Sequence, residues 1–491
     1  MALPMALYSS AQVRALDSYA IEELSIAGYT LMKRAGEAAL RQLRGRYPLA
    51  HRVVIVCGGG NNGGDGYVLA RFAHAAGLTV SVLAASDPER LRGEARQAYQ
   101  DLRASGVRVQ SFAAPLLAPG EIVVDALLGT GLKGAVREEY AQAIHAINLS
   151  GRPVFSLDVP SGLDADAGVA LGEAVRADST VTFVALKTGL LVGDGPEYTG
   201  TVVFDDLEIS PIPPQFAPRL TRIIESEIRA ALPRRPRAAH KGDFGRVLIV
   251  GSGSGMPGAT RLAGEACLRA GAGLTTVAVA PENVAAIAAG RPELICLALT
   301  GEAVLADAAA RADVIAIGPG LGRTPWARAA LETVLAADKP LVVDADALNL
   351  LAEAALRPRA DWILTPHPGE AGRLLGATTQ EIQHDRLRAL DRLIERFQGT
   401  IVLKGAGTLV GASGRTPGVC ERGNPGMASA GTGDVLTGAI AGILAQCRDP
   451  WAAARVGVLV HAMAGDAAAR GGERGVLASD LARELHNAVN L

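Results

Sequence analysis

Short apolar runs alternate along this chain with longer segments of helical period. Ser10 stands where a helix N-cap belongs, and apolar positions then recur at helical spacing to about residue 24 and again from about 30 to 44. Continuous apolar runs follow at 53–57, 79–83, 122–126, 154–157, 180–184 and 202–204, with helical stretches between them. Such runs lack the alternation of a half-exposed strand, so they predict a parallel sheet covered by helices on both faces. Four prolines at 209–218 interrupt the pattern and mark a linker, and a charged stretch at 233–241 leads into the second half. Apolar runs resume at 247–250, 275–280, 314–317, 341–344, 362–364 and 401–403. We therefore expect an α/β protein of two domains, 1–216 and 217–491. Each is a mostly parallel sheet flanked by helices, the first of them doubly wound and Rossmann-like.

Composition narrows the class. The chain has 491 residues, too many for one compact core, and its 48 basic and 50 acidic residues leave a net charge of −2. No charge field favours nucleic acid or an anionic membrane, and 4% aromatic content supplies no base-stacking platform. The five cysteines are scattered and lack C-x-x-C spacing, which points away from a disulfide framework or zinc site and toward a reducing compartment. No apolar run reaches membrane-span length, and the first ten residues lack a basic leader region; a cytoplasmic enzyme is expected. Ala-rich helices of low charge would suit a homo-oligomer.

The candidate chemistry lies where parallel strands end. Residues 423–434 pack small residues into a turn that opens onto an apolar helix expected at 435–447. Backbone N–H groups at such a turn are unpaired and face the positive end of the helix dipole, so Gly431, Thr432 and Gly433 can wrap a phosphate. Asp434 then stands where the phosphate arrives, placed to take a proton from a hydroxyl under phosphorylation. Four more segments follow strands in the same sense: GPGLG at 318–322, Asp344-Ala345-Asp346, TPHPGE at 365–370 and KGAGT at 404–408. Asp344 and Asp346 either hold magnesium or begin the next helix as caps. In the first half, GGGNNGGDGY at 58–67 leaves a strand and enters a helix near Tyr67, without the G-x-G-x-x-G spacing of a dinucleotide fingerprint. DALLGTGLKGA at 125–135 and DVPSGL at 158–163 share its edge of the sheet.

These phrases carry a resemblance. HKGDFGRVLIVGS at 240–252, IGPGLG, DADALN, LTPHPGE, KGAGT and NPGMASAGTGDVL resemble, within the ribokinase-like superfamily, the ADP/ATP-dependent NAD(P)H-hydrate dehydratases, from about Arg237 onward. The resemblance implies that a nucleotide phosphorylates the hydroxyl of the hydrated nicotinamide ring and that phosphate then leaves. It makes Asp434 the acid/base residue and assigns Lys404, Gly405, Ala406, Gly407, Thr408, Gly431, Thr432 and Gly433 to ADP or ATP, used with Mg2+. Ala259, Gly322 and His367, with Asp434, would contact the hydrated dinucleotide.

Residues 1–215 are similar to the NAD(P)H-hydrate epimerases, or YjeF N-terminal domains. That likeness assigns Asn61, Asn62, Gly63, Gly64, Asp65, Gly129, Thr130, Gly131, Leu132, Lys133, Gly134, Ala135 and Asp158 to substrate, and Asn62, Asp125 and Ser161 to K+. Amide, carboxylate and hydroxyl oxygens suit such a hard cation. For the acid/base residue of epimerisation, Asp125 is the first choice and Lys133 the second. The expected partners are NAD(P)H hydrate and an adenine nucleotide. Two other readings stand beside this: a vitamin-precursor kinase, since GTGD alone specifies phosphoryl transfer, and a non-catalytic ligand-binding first half.

Overall fold

A computed structural model describes residues 3–353 and 359–491. The chain divides into two compact units, Met1–Thr221 and Arg222–Leu491. The expected boundary at 216/217 falls inside the first unit, because Leu220 and Thr221 pair antiparallel with Leu7 and Ala6.

The first unit holds a seven-stranded sheet in which every pairing is parallel. Its order is Val109–Ser111, Thr79–Ala84, Arg52–Cys57, Ile122–Ala126, Val154–Leu157, Ser179–Phe183 and Thr201–Asp205. Strand order reverses between Arg52–Cys57 and Ile122–Ala126, and a crevice opens at that point beyond the carboxyl ends. Val109–Ser111 escaped the sequence pattern because only Val109 of its three residues is apolar. The first helix, Ser10–Glu22, is capped by Ser9, whose side chain accepts from the Gln12 N–H; Ser10 is already inside it.

The second unit orders its strands as Ile295–Ala298, Leu274–Val279, Arg246–Val250, Val314–Ile317, Leu341–Val343, Trp362–Leu364, Thr400–Leu403, Thr408–Gly411 and Gly418–Cys420. The first seven are parallel and the last two antiparallel. Thr408, expected in a loop, therefore begins a strand. Ile295–Ala298 and the two antiparallel strands were missed, being three or four residues long and broken by Gly or Cys. The order again reverses beside Arg246–Val250. Helix Thr432–Cys447 is buried for most of its length, and a Cβ on Gly438 would lie 1.9 Å from the Ala263 carbonyl of helix Pro257–Arg269. Only glycine allows that approach, which seats the start of the buried helix over the sheet's carboxyl edge.

Candidate active sites

In the first unit, helix Asn61–Ala75 begins immediately after the loop that leaves Arg52–Cys57, earlier than the start near Tyr67 that the sequence suggested. The cause is close packing of small residues. A Cβ on Gly58 would sit 1.9 Å from Leu127 O, and one on Gly63 2.1 Å from Gly58 O. Gly63 and Gly64 are thus buried against neighbouring backbone and Met32 and are not among the cavity-lining residues. Asn61, Asn62 and Asp65 instead line a cavity of about 740 Å³, together with Gly129, Thr130, Gly131, Leu132, Lys133, Ala135 and Asp158. Gly134 opens onto a smaller neighbouring cavity of about 390 Å³.

Three of the expected groups behave differently from one another. Both polar atoms of the Asn62 amide are buried without a hydrogen-bond partner among the described residues, an arrangement that costs free energy unless a ligand answers it. Asp125 is fully buried and saturated. It accepts from Ser161 Oγ at 2.5 Å, Ser161 N at 2.9 Å, Ser156 Oγ at 2.8 Å and Leu127 N at 3.2 Å. Burial pushes its carboxyl up while these donors pull it down. With every lone pair engaged and no wall of the cavity to its name, Asp125 is a poor proton shuttle, which corrects its choice as the acid/base residue. Asp158 holds a left-handed backbone, φ 67°, at the end of Val154–Leu157, which turns its carboxylate to the Lys187 ammonium. Lys187 is 1% exposed and also donates to Thr182 Oγ1 at 3.0 Å and Phe183 O at 2.7 Å.

Lys187 and a further acid on the cavity wall, Asp17, were not found from sequence. Asp17 sits on helix Ser10–Glu22 four residues after Val13 and three before Ala20, on the helix's buried face, yet a lone acid in a helix reads from sequence as solvated surface. Burial raises its carboxyl to about 6, with Asp158 adding and Lys187 and Arg14 subtracting. Asp65 is driven well above the ordinary carboxylate range by burial first and then by Asp158 and Asp17.

In the second unit, five strand ends converge. Helix Thr432–Cys447 starts three residues before the expected 435, with Gly431 as N-cap at φ 88°, so Asp434 lies in its first turn. A Cβ on Gly433 would stand at ordinary contact distance from Lys404 Nζ, 3.6 Å, and Asp344 Oδ2, 3.8 Å. Glycines at 431 and 433 thereby leave a bare cradle of N–H groups beside one ammonium and two carboxylates. Lys404 does not stand free. Its Nζ lies 2.8 Å from Asp344 Oδ1 and 3.7 Å from Glu370, and Thr437 donates to Asp344 Oδ2 at 2.6 Å. Burial alone would lower Lys404, but Asp344 and Glu370 outweigh it and hold it raised. Asp344 is fully buried, which raises it, yet Lys404 and the hydroxyls keep it lowered. Asp434 ends at about 7, lifted by burial and by Asp344 and Asp346 against Lys404.

The remaining expected residues flank this centre. Asp346 Oδ2 accepts from the Gly322 N–H at 2.8 Å, while Asp344 is taken up by Lys404 and Thr437. A Cβ on Gly320 would meet Ala259 at 2.9 Å, which brings Ala259 in the first turn of Pro257–Arg269 against the GPGLG loop. His367 caps helix Pro368–Leu375, its Nδ1 accepting from Gly369 N at 3.0 Å. Burial, then Lys404 and Arg373, lower its pKa and favour the neutral ring. Two supports were missed. Buried Arg386 donates to the carbonyls of Leu403 and Lys404, at 3.1 and 3.2 Å, and to that of Ala406, fixing the loop of Gly405, Ala406 and Gly407. Thr408 Oγ1 closes that loop on Gly405 O at 2.8 Å. His461, held at about 4 chiefly by burial, is neutral and bonds the Thr432 carbonyl at 2.9 Å. Among the described residues no group of three His, Cys, Asp or Glu side chains is arranged to hold a metal ion.

Residues 28–189 match the family described as YjeF-related protein N-terminus, and 247–487 match NAD(P)H-hydrate dehydratase. The bifunctional NAD(P)H-hydrate repair enzyme of Coxiella burnetii is 48% identical over 99% of both chains, and that of Escherichia coli 43% identical over 100% of this chain and 95% of its own. An ADP/ATP-dependent NAD(P)H-hydrate dehydratase from Bacillus subtilis, co-crystallised with ATP/Mg2+, shares the second fold. Its TM-score is 0.50 at 32% identity, covering 55% of this chain and 97% of that one. A ribokinase-like superfamily protein from Enterococcus faecalis does likewise at 0.52 and 32%, covering 55% of this chain and 95% of its own. With both family matches in order on one chain and full-length identity at this level, the chain belongs to the bifunctional NAD(P)H-hydrate repair enzymes.

Proposed function

We propose that the two units carry out successive steps of cofactor repair. The first interconverts the R and S epimers of NAD(P)H hydrate, and the second dehydrates the S epimer at the expense of ADP or ATP. Epimers form as a mixture, so a dehydratase of one hand needs an epimerase to reach the rest.

For the second step, the observation that carries the reading is Asp434 poised near neutrality beside the bare Gly431–Thr432–Gly433 cradle and the Lys404–Asp344 pair. The terminal phosphoryl group of the nucleotide would rest on the cradle's N–H groups. Asp434 would accept the proton of the ring hydroxyl as its oxygen bonds to phosphorus and the terminal phosphoanhydride bond breaks, releasing AMP from ADP or ADP from ATP. Phosphate then leaves with that oxygen, and loss of a ring proton restores the dihydronicotinamide. Lys404, already paired, contributes a fixed positive field near the transferring group. The Lys404–Thr408 loop, held by Arg386, faces the nucleotide, and Ala259, Gly322 and His367 face the hydrated dinucleotide. Magnesium would enter with the nucleotide phosphates. A vitamin-precursor kinase is not favoured, because both family matches lie in the order found in the repair enzymes.

For the first step, a potassium ion would sit at the site of Asn62, Asp125 and Ser161, with the unpartnered Asn62 amide oxygen as the free ligand and the saturated Asp125 carboxylate, bonded to Ser161, as the nearby negative charge. The unpartnered buried amide supports this reading. Bound there, the ion would neutralise the buried carboxylate and orient the substrate's phosphates or hydroxyls. Five free cysteines suit a reducing cytoplasm. No helix among the described residues is long and apolar enough to cross a membrane.

The test is return of dihydronicotinamide absorbance when S NADH hydrate is incubated with ADP and with ATP. The wild-type chain should restore it, and Asp434→Asn should lower kcat by about 10²–10⁴-fold, the usual worth of a positioned proton acceptor. Unchanged turnover in that variant would overturn the reading, as would a stable phosphorylated product.

A further inference from the structure

The cavity of the first unit is lined by charged groups whose roles the family resemblance leaves open or incomplete. Asp17 and Arg14 come from helix Ser10–Glu22, which precedes residue 28, where the family match begins. Asp65 comes from helix Asn61–Ala75, and Asp158 and Lys187 follow Val154–Leu157 and Ser179–Phe183. Lys133 and Arg137 reach the same space from the loop after Ile122–Ala126, and Glu94 from helix Gly93–Ala104. Three carboxyls around one buried ammonium cannot all ionise equally, and the geometry sorts them. Asp158 is bonded to Lys187, whereas among the described residues neither the Asp17 nor the Asp65 carboxylate has a side-chain ion pair in this cavity.

Building on the epimerase reading of this unit, we propose that Asp17 is its general base and Asp65 its general acid. Lys187 is a positioning residue that holds Asp158 as the counter-charge of a cationic ring. The hydroxyl of the hydrate sits on the carbon next to the ring nitrogen. Asp65 gives its proton to that hydroxyl, the C–O bond breaks, water departs, and the nitrogen lone pair forms a C=N⁺ bond. Water then adds to the opposite face of the same carbon, the C=N⁺ electrons return to nitrogen, and Asp17 takes the proton released. Transfer of that proton back to Asp65 resets both carboxyls, so substrate and product are isomers and no co-reactant is consumed. Through these steps Asp158 faces the positive ring. The ionisation order agrees: burial and its acidic neighbours drive Asp65 well above the ordinary carboxylate range, while Asp17, raised to about 6, is mostly ionised at neutral pH. Two carboxyls raised to different extents on one cavity wall are a recurrent acid/base device.

The experiment follows R to S conversion of NADH hydrate by the full chain without nucleotide, so that the second site is idle, and separates the epimers over time. Wild-type kcat/KM should rise with pH through about 6 as Asp17 ionises, and fall at higher pH as Asp65 does. Asp17→Asn should slow conversion by about 100-fold or more and erase the acid limb; Asp65→Asn should erase the alkaline limb. Lys187→Met should move the acid limb upward, because Asp17 loses its cationic neighbour, a change that mere loosening of the fold would not produce. Asp17→Glu keeps the charge, and its recovery of the acid limb separates lost charge from lost fold. An acid limb that persists in Asp17→Asn at a rate within about threefold of wild type overturns the proposal, as does inactivity of the Asn and Glu forms alike. If the wild-type chain interconverts no epimers at any pH, the epimerase reading itself fails, which is a different result.

Discussion

Single side chains decide the two sites through the cost of burying charge. Lys404 and Asp344 are tolerable inside the second unit only as a pair, so Asp344→Ala strands the ammonium. We expect it to destabilise that unit by about 3–5 kcal/mol in urea unfolding of the full chain. Asp434 works in the opposite direction. Its carboxyl rises from 3.8 to about 7 on folding, so the native state binds its proton more tightly than the unfolded chain does. The resulting penalty is absent below about pH 4, grows between 4 and 7, and is complete above 7. Asp434→Asn should therefore be more stable than wild type at pH 8, by about 2 kcal/mol after allowance for partial exposure, and equal to it near pH 3. In turnover the sign is again set by ionisation: as proton acceptor Asp434 must be charged, so dehydratase kcat/KM should fall as pH drops below about 7. The placing of Asp434 was readable from sequence because it is local, a carboxylate one helical turn from a glycine N-cap. Asp17 and Lys187 were not, because a charge on an amphipathic helix and a lysine in an apolar run acquire meaning only from what folds against them.

At the scale of elements, each site is made by loops that strand ends and helix starts hold in place. Gly433 can accept a Cβ without clash, since its nearest neighbours would be 3.6 Å and 3.8 Å away, but that methyl would occupy the cradle. Gly433→Ala should fold normally while raising the nucleotide KM by about tenfold or more, for each lost close contact of about 1.4 kcal/mol. Arg386 grips three carbonyls of the Leu403–Ala406 turn with one planar fork. Lysine cannot reproduce that fork, so Arg386→Lys should raise the nucleotide KM several-fold with little change in kcat, measured at saturating hydrate. Most central strands were evident from their unbroken apolar runs. The short antiparallel strands Thr408–Gly411 and Gly418–Cys420 were not, because they are stabilised by the neighbour each pairs with rather than by any pattern of their own. Helix starts at 61 and 432 were displaced toward the preceding glycines, since a glycine N-cap leaves no side-chain signal.

For the whole molecule, two compact units on one chain mean two chemistries that fail separately. A mixed-epimer solution of NADH hydrate with ADP should stop near half conversion in the Asp17→Asn chain, beyond the slow uncatalysed exchange. The Asp434→Asn chain should restore almost none while still equilibrating the epimers. Because each unit's groups stand within Met1–Thr221 or Arg222–Leu491, mixing the two variant chains should bring conversion to completion through free diffusion of the hydrate. Failure of the mixture, with each single activity intact, would mean that the hydrate passes between sites without release.

Hydrophobic patterning by itself determined that the chain forms two α/β units of mostly parallel sheet, and short contiguous phrases at strand ends determined the reaction family. Both are properties of neighbours in sequence, where period and glycine spacing are recorded directly. Which carboxylate is saturated, which is free, and which ammonium neutralises it were decided only in three dimensions. Asp17, Asp65, Asp158 and Lys187 come from four separate segments, and the energy that sorts their protons is Coulombic and depends on distances and burial that no single segment encodes.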